Sequence, residues 1–224
     1  MATGRVYRSA ALAQLTDKDV AAIERLGIAL VVDFRTSRER GINPSRGDLP
    51  TWARDYDSST ADLHRAVADP ALTTDSVAAA MRTTYAHLPE EQADAFAELF
   101  RRIAAGDVPL LFHCAVGKDR TGVAAALLLD LLGVDRADVV GDYLLTNRVA
   151  DRVAAHAYVS LDRHNPGVDT ALLAPVVRAD EGYLAAMFAA LGARYGSSER
   201  YLTDRLGIDA QSIAAIRDRL LVSG

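Results

Sequence analysis

Six residues stand at offsets that suit chemistry on a phosphate: His113, Cys114, Gly117, Arg120, Thr121 and Gly122. An apolar run of strand length, from Val108, ends in the histidine and the chain's single cysteine; five residues intervene before the arginine, and then come Thr-Gly and the apolar stretch Val123–Leu132. A loop of that length can curl so that its backbone N–H groups converge on one anion, with the positive end of the following helix behind it. Arg120 can grip two phosphate oxygens as a planar fork. Such surroundings lower a thiol pKa from about 8.5 into roughly the 3.5–7.5 range. Cys114 is therefore expected as a thiolate, a nucleophile aimed at phosphorus. The bland alternative is an inert buried cysteine at a strand end. Six matching positions weigh against it.

The elements that must hold this loop are legible around it. Thr16 to Asp19 opens a helix with a hydroxyl cap and an acid three positions on, Val20, Ile23 and Leu26 form its apolar face, and Gly27 stops it. Ile28–Phe34 is a continuous apolar run, the pattern of a strand buried on both faces. Residues 1–15 read as mostly irregular, residues 35–47 as a loop punctuated by Asn43-Pro44 and Arg46-Gly47, and Thr51–Ala53 as a short strand. The acid-rich span 55–75 reads as a surface segment. Helices are expected over 75–88, from Pro89 to Gly106, over 123–132, from Asp135 to about His156, and over 181–195, 198–206 and 209–221. The pattern weakens over 158–179. Strands separated by helices give an α/β fold, a small and mainly parallel central sheet surrounded by helices.

His-Cys-Ala-Val-Gly-Lys-Asp-Arg-Thr-Gly, residues 113–122, resembles the signature of cysteine-dependent protein tyrosine phosphatases, and more narrowly of their bacterial tyrosine and dual-specificity branch. Tyr7 to Leu12, Val31 to Arg35, and Tyr195-Gly196 through Tyr201-Leu202 match that branch too. The resemblance implies a cysteine-phosphatase-like fold, one phosphatase domain over 1–224, and a helical lid over 147–179. It implies hydrolysis of phosphotyrosine, with phosphoserine, phosphothreonine and phosphoinositides as further substrates, through a phosphocysteine intermediate.

Roles follow residue by residue. Cys114 is the expected nucleophile, and the backbone of Ala115, Val116, Gly117, Lys118, Asp119 and Arg120, with the Arg120 side chain, is expected to bind the phosphate. Uncatalysed phosphate-monoester hydrolysis is so slow that most of the acceleration must come from positioned charge. Thr121 can donate to the departing sulfur or cap the helix, and the two are compatible. His113 is expected to orient the loop through backbone hydrogen bonds. Many phosphatases of this superfamily carry their general acid on a Trp-Pro-Asp loop, but here Trp52 precedes Ala53. Asp119 and the pair Asp55/Asp57 remain open as the acid. Arg35 either clamps substrate or pairs with Asp33, and Arg8 is a weaker candidate of the same kind. Lys118, a point charge beside the loop, is expected to meet a second phosphate. Two of the 25 basic residues are lysines, which leaves 23 arginines and makes a lysine in the loop notable.

Composition sets outer bounds. Half of the 224 residues are hydrophobic, enough for one sizeable core, and a net charge of -5 implies no affinity for nucleic acid or anionic membranes. One cysteine cannot form an internal disulfide, and with no apolar amino-terminal stretch a cytoplasmic location is expected, export without a signal peptide staying open. His64, His87, His156 and His164 show no metal-ligand spacing, so neither metal nor cofactor is expected. The competing readings are a catalytically inactive phosphate-binding module and a rhodanese-like sulfur carrier. The former normally lacks the cysteine, arginine or acid, and the latter has no need of an Arg-Thr-Gly helix start.

Overall fold

The computed structural model describes residues 2–56, 72–150 and 169–221. Four strands, β1 (Val6–Ser9), β2 (Leu30–Asp33), β3 (Thr51–Ala53) and β4 (Leu110–His113), form one parallel sheet in the order β1-β4-β2-β3. Ten α-helices accompany it among the described residues: α1 (Asp17–Glu24), α2 (Ser37–Ile42), α3 (Thr74–Glu91), α4 (Ala93–Ala105), α5 (Asp119–Leu131), α6 (Arg136–Leu144), α7 (Ala174–Val177), α8 (Glu181–Tyr195), α9 (Ser198–Arg200) and α10 (Ala210–Leu220). This is the expected α/β architecture.

β4, last in sequence, lies between β1 and β2, and its register sets His113 beside both Asp33 and Ser9. The loop after His113 thus leaves the sheet at the carboxyl ends of its strands, where ligands bind in open α/β sheets. Alternation along the strands divides the packing. Leu30, Val32, Leu110 and Phe112 enter the main core with α3, α4, α5, α8 and α10. Val31 and Leu111 face a smaller cluster with Leu12 and Ile28. Every residue of β2 and β4 is buried, the condition expected of central parallel strands.

Several expectations are corrected. Residues 1–15 hold β1 and a 3-10 turn, Leu12–Gln14, because four residues are enough for an edge strand once β4 supplies its partner. The span 35–47 is not all loop: Thr36 and Glu39 close a capping box that starts α2. Thr16 and Asp19 do the same for α1, but Leu26 is 40% exposed rather than inward. Pro89 does not begin a helix. It sits in the last turn of α3, where only one backbone donor is lost, and the chain breaks at Gln92 instead. The loop helix starts at Asp119, four residues earlier than its apolar stretch. The helix after Asp135 ends at Leu144 and passes into a 3-10 turn, Leu145–Val149, and Asp135 makes no side-chain cap. Ser198–Arg200 is α-helical and Tyr201–Arg205 continues as a π-turn. Of the suggested lid, residues 151–168 lie outside the described residues, as does Asp57. Of that segment's described residues, Thr170–Leu173 and α7 are helical, Asn147 to Val149 belong to the 3-10 turn, and Arg178 is extended.

Candidate active site

Cys114 follows β4 and is 2% exposed, with the Gly117 N–H donating to its Sγ at 3.3 Å. Gly117 makes this turn possible. Its φ is +76°, and a Cβ there would lie 2.7 Å from the Ser9 carbonyl oxygen. A side chain would force loop and β1 apart. The amides of Ala115, Val116, Lys118, Asp119 and Arg120 donate to no acceptor among the described residues. They precede or open α5, whose dipole adds positive potential at the same place. His113 lies wholly inside, with Nδ1 donating to the Cys114 carbonyl at 3.1 Å. Burial lowers its pKa, and Asp33, 3.8 Å from Nε2, only partly offsets that.

Arg120 is fixed by a residue the sequence reading passed over. Its Nη1 donates to Glu39 Oε2 and its Nη2 to Oε1, both at 2.7 Å, while Nη1 also reaches the Phe34 carbonyl at 2.9 Å and the Tyr56 hydroxyl at 3.1 Å. Burial alone would lower the guanidinium pKa, but the Glu39 hydrogen bonds and the nearby Cys114 sulfur raise it well above normal. Burial would likewise raise the Glu39 carboxyl, and Arg120 holds it below its ordinary value instead. Nε makes no hydrogen bond among the described residues. The Nε/Nη2 edge therefore keeps a second fork for an oxyanion. Glu39 is legible only as half of a capping box, Thr36-x-x-Glu39; its partnership with Arg120 spans 81 residues.

The other candidates separate. Asp119 Oδ1 accepts from the Tyr85 hydroxyl at 2.8 Å and lies 3.2 Å from Lys118 Nζ. Asp55 is 88% exposed and pairs with Arg40. Thr121 Oγ1 is buried and has no hydrogen-bond partner among the described residues, in the first turn of α5. Arg35 is 2% exposed, and all three of its nitrogens are taken: Nε and Nη2 by Asp33, Nη2 also by Ser45, and Nη1 by the Asn43 carbonyl. Of its two readings Arg35 takes the structural one, a pair with Asp33 that ties β2 to the stretch after α2. Lys118 is fully buried, and its ammonium donates to the carbonyls of Val176 and Arg178. Arg8 pairs with Asp142.

The tyrosine phosphatase family description matches residues 1–222. The chain belongs to that family. Among relatives, a Cupriavidus necator protein named provisionally as a tyrosine-protein phosphatase is 36% identical over 215 residues, 94% of this chain and 77% of its own. A tyrosine-protein phosphatase of Nostoc commune is 34% identical, covering 97% of this chain and 74% of its own. The triple specificity protein phosphatase PtpB of Mycobacterium tuberculosis is 31% identical, covering 97% and 91%. The chain is by class a protein tyrosine phosphatase, and the resemblance carried by residues 113–122 marks a family membership that spans the chain.

An open groove of about 560 Å³ lined by Glu199, Thr203, Ile213, Ala214, Arg217 and Asp218 includes none of the loop residues. No helix among the described residues is long and apolar enough to cross a membrane.

Proposed function

We propose that this single catalytic unit hydrolyses phosphotyrosine through a phosphocysteine intermediate on Cys114. The observation that carries it is the placement of Arg120: one edge of its guanidinium is clamped by Glu39, and the free edge comes from the first turn of α5, directly after the loop that holds the sulfur. In the first step the Cys114 thiolate forms an S–P bond as the P–O bond to the leaving group breaks. Asp119 gives its proton to the departing oxygen. In the second, water attacks phosphorus, Asp119 takes a proton from that water, and the S–P bond breaks to release phosphate and thiolate. Backbone N–H groups from Ala115 to Arg120 and the free Arg120 edge carry the charge of the transferring phosphoryl group. Thr121 Oγ1, buried with no partner among the described residues, is suited to donate to the departing sulfur. Asp119 is preferred to Asp55 because it opens α5 at the end of the loop and is held there, whereas Asp55 is exposed and paired with Arg40.

The words triple specificity in the name of the mycobacterial relative support a substrate range beyond phosphotyrosine, and phosphoserine, phosphothreonine and phosphoinositides are the further substrates proposed. A second phosphate at Lys118 must displace the Val176 and Arg178 carbonyls from its ammonium. A reducing, cytoplasmic setting suits the free thiol. The test is p-nitrophenyl phosphate turnover by wild type and Cys114→Ser under reducing conditions, with vanadate binding measured in parallel. Loss of turnover with retained binding is expected. An inactive wild type that still binds vanadate would instead identify a phosphate-binding module.

A further inference from the structure

Asp119 has two carboxylate oxygens in unlike surroundings. Oδ1 accepts from the Tyr85 hydroxyl at 2.8 Å and lies 3.2 Å from Lys118 Nζ, while Oδ2 has no partner among the described residues. The Tyr85 hydroxyl in turn meets that of Tyr143 at 2.6 Å, so a chain of two phenols ends on the carboxyl group. Tyr85 comes from α3, Tyr143 from α6 and Asp119 from the first turn of α5. Three helices thus converge on one side chain. The approach depends on Gly122, where a Cβ would fall 2.7 Å from the Tyr143 ring.

Both phenols are buried, Tyr85 fully and Tyr143 to 1% exposure. Burial pushes both pKa values upward, with the Asp119 charge adding to it, so both hydroxyls keep their protons across the neutral range. The rings are held as well as the oxygens: Tyr85 packs against Tyr143 and Tyr183, with centroids 6.1 and 5.2 Å away.

We infer that Tyr85, backed by Tyr143, is a positioning residue for Asp119: it anchors Oδ1 and leaves Oδ2 as the oxygen that delivers the proton. The inference rests on the reading of Asp119 as general acid and deepens it. A proton on Oδ1 would point into two donors, Tyr85 O–H and the Lys118 ammonium, so the acid form carries it on Oδ2. The same Oδ1 contact survives in acid and carboxylate alike, since a carbonyl oxygen accepts as an ionised one does. The carboxyl group then needs no reorientation between giving its proton to the leaving group and recovering one from water. Holding a group in its reactive geometry in this way lowers the barrier without touching the substrate.

The test compares Tyr85→Phe, Tyr143→Phe, Asp119→Asn and Tyr85→Phe/Asp119→Asn on two substrates, a phosphotyrosyl peptide, whose leaving group needs a proton, and p-nitrophenyl phosphate, whose leaving group needs it far less. Since a positioned general acid contributes roughly 10²–10⁴-fold, Tyr85→Phe should lower kcat/KM for the peptide by about tenfold or more and for p-nitrophenyl phosphate by about threefold at most. Vanadate affinity should hold. Tyr143→Phe should move the same ratio less, and in the Asp119→Asn background the Tyr85 substitution should not move it at all. Equal losses on both substrates, or an undiminished effect on top of Asp119→Asn, would overturn the positioning role while leaving the acid in place. An Asp119→Asn variant with no leaving-group dependence would overturn both readings. If Tyr85→Phe does not fold, the ratio in Tyr143→Phe decides, and an unchanged ratio there counts against the inference.

Discussion

Glu39 and Arg120 face each other as two forks, each carboxylate oxygen 2.7 Å from one terminal nitrogen of the guanidinium. Glu39 is also the third residue of α2, where it accepts from the Thr36 amide at 2.7 Å. One carboxylate thus starts a helix and aims the phosphate-binding arginine. Glu39→Gln keeps the shape and removes the charge. It should leave the fold intact and reduce kcat/KM by about 10–100-fold, because a displacement near 1 Å at a reacting centre costs on the order of 10². Steady-state kinetics with circular dichroism checks this, and an unchanged kcat/KM would mean that Arg120 needs no brace.

Arg120→Lys should not rescue the enzyme. An ammonium cannot pair with Glu39 along one edge and hold an oxyanion along another. Loss of one preorganised donor to a developing charge costs roughly 10²–10³ in kcat, and the lysine variant should fall at least that far. Turnover of p-nitrophenyl phosphate measures it. Activity within about tenfold of wild type would show that a point charge suffices and that the fork is incidental.

Lys118 is a buried latch. Its ammonium joins the loop to the carbonyl of Val176 at the end of α7 and lies over the Tyr183 ring. Removing it leaves a buried acceptor without a donor, at a cost of about 1–3 kcal/mol. Lys118→Ala should lower Tm and speed amide exchange over residues 174–178. An unaltered melting curve and exchange pattern would place the lysine outside the structure's support. In the same variant, phosphoinositide cleavage should drop more than phosphotyrosine cleavage if a second phosphate reaches this ammonium, and equal losses would remove that part of the substrate range.

Stability should fall on the acid side in two stages. Burial drags the His113 pKa below its ordinary value of 6.5, so the unfolded chain binds more protons as pH drops past 6.5, and this contribution fades toward the folded value. Asp33 and Glu39 resist desolvation through Arg35 and Arg120 and titrate below their ordinary values of 3.8 and 4.5. Their contribution holds above those values and is lost as pH falls through the lower folded ones. Denaturant titrations from pH 8 downward should therefore show a first decline beginning near pH 6.5 and a second below about 4.5. His113→Asn, which retains a donor for the Cys114 carbonyl, should erase the first. Persistence of that decline in the variant would assign it to another group.

How much of this was readable from the chain depends on sequence distance. Cys114, Arg120 and Thr121 lie within one short loop and the helix turn after it, so their spacing alone announces an anion site. The strand at Thr51–Ala53 and the helix at Glu181–Tyr195 carried clear local patterns and appear with those bounds. β1 was missed because Val6-Tyr7-Arg8-Ser9 has no pattern of its own and becomes a strand only through pairing with β4. α2 was hidden by the turn signals after it, although Thr36-x-x-Glu39 was there to be read as a capping box. The sequence leaves Arg35 open between a substrate clamp and an Asp33 pair, and it gives no sign that Lys118 is buried. Both are buried because backbone carbonyls and Asp33 replace water. Glu39, Tyr56, Tyr85 and Tyr143 reach the site from 81, 64, 34 and 58 residues away along their hydrogen-bonded pairs, distances over which a single sequence gives no signal.

In the proposed reaction the phosphoryl group passes through Cys114. Wild-type enzyme mixed with a phosphotyrosyl peptide, quenched in acid within the first turnover and digested, should yield a phosphate adduct on the peptide containing Cys114, and the Cys114→Ser enzyme should yield neither that adduct nor released phosphate. Rapid turnover by wild type with no adduct at Cys114, or phosphate release by the serine variant at the wild-type rate, would contradict that route.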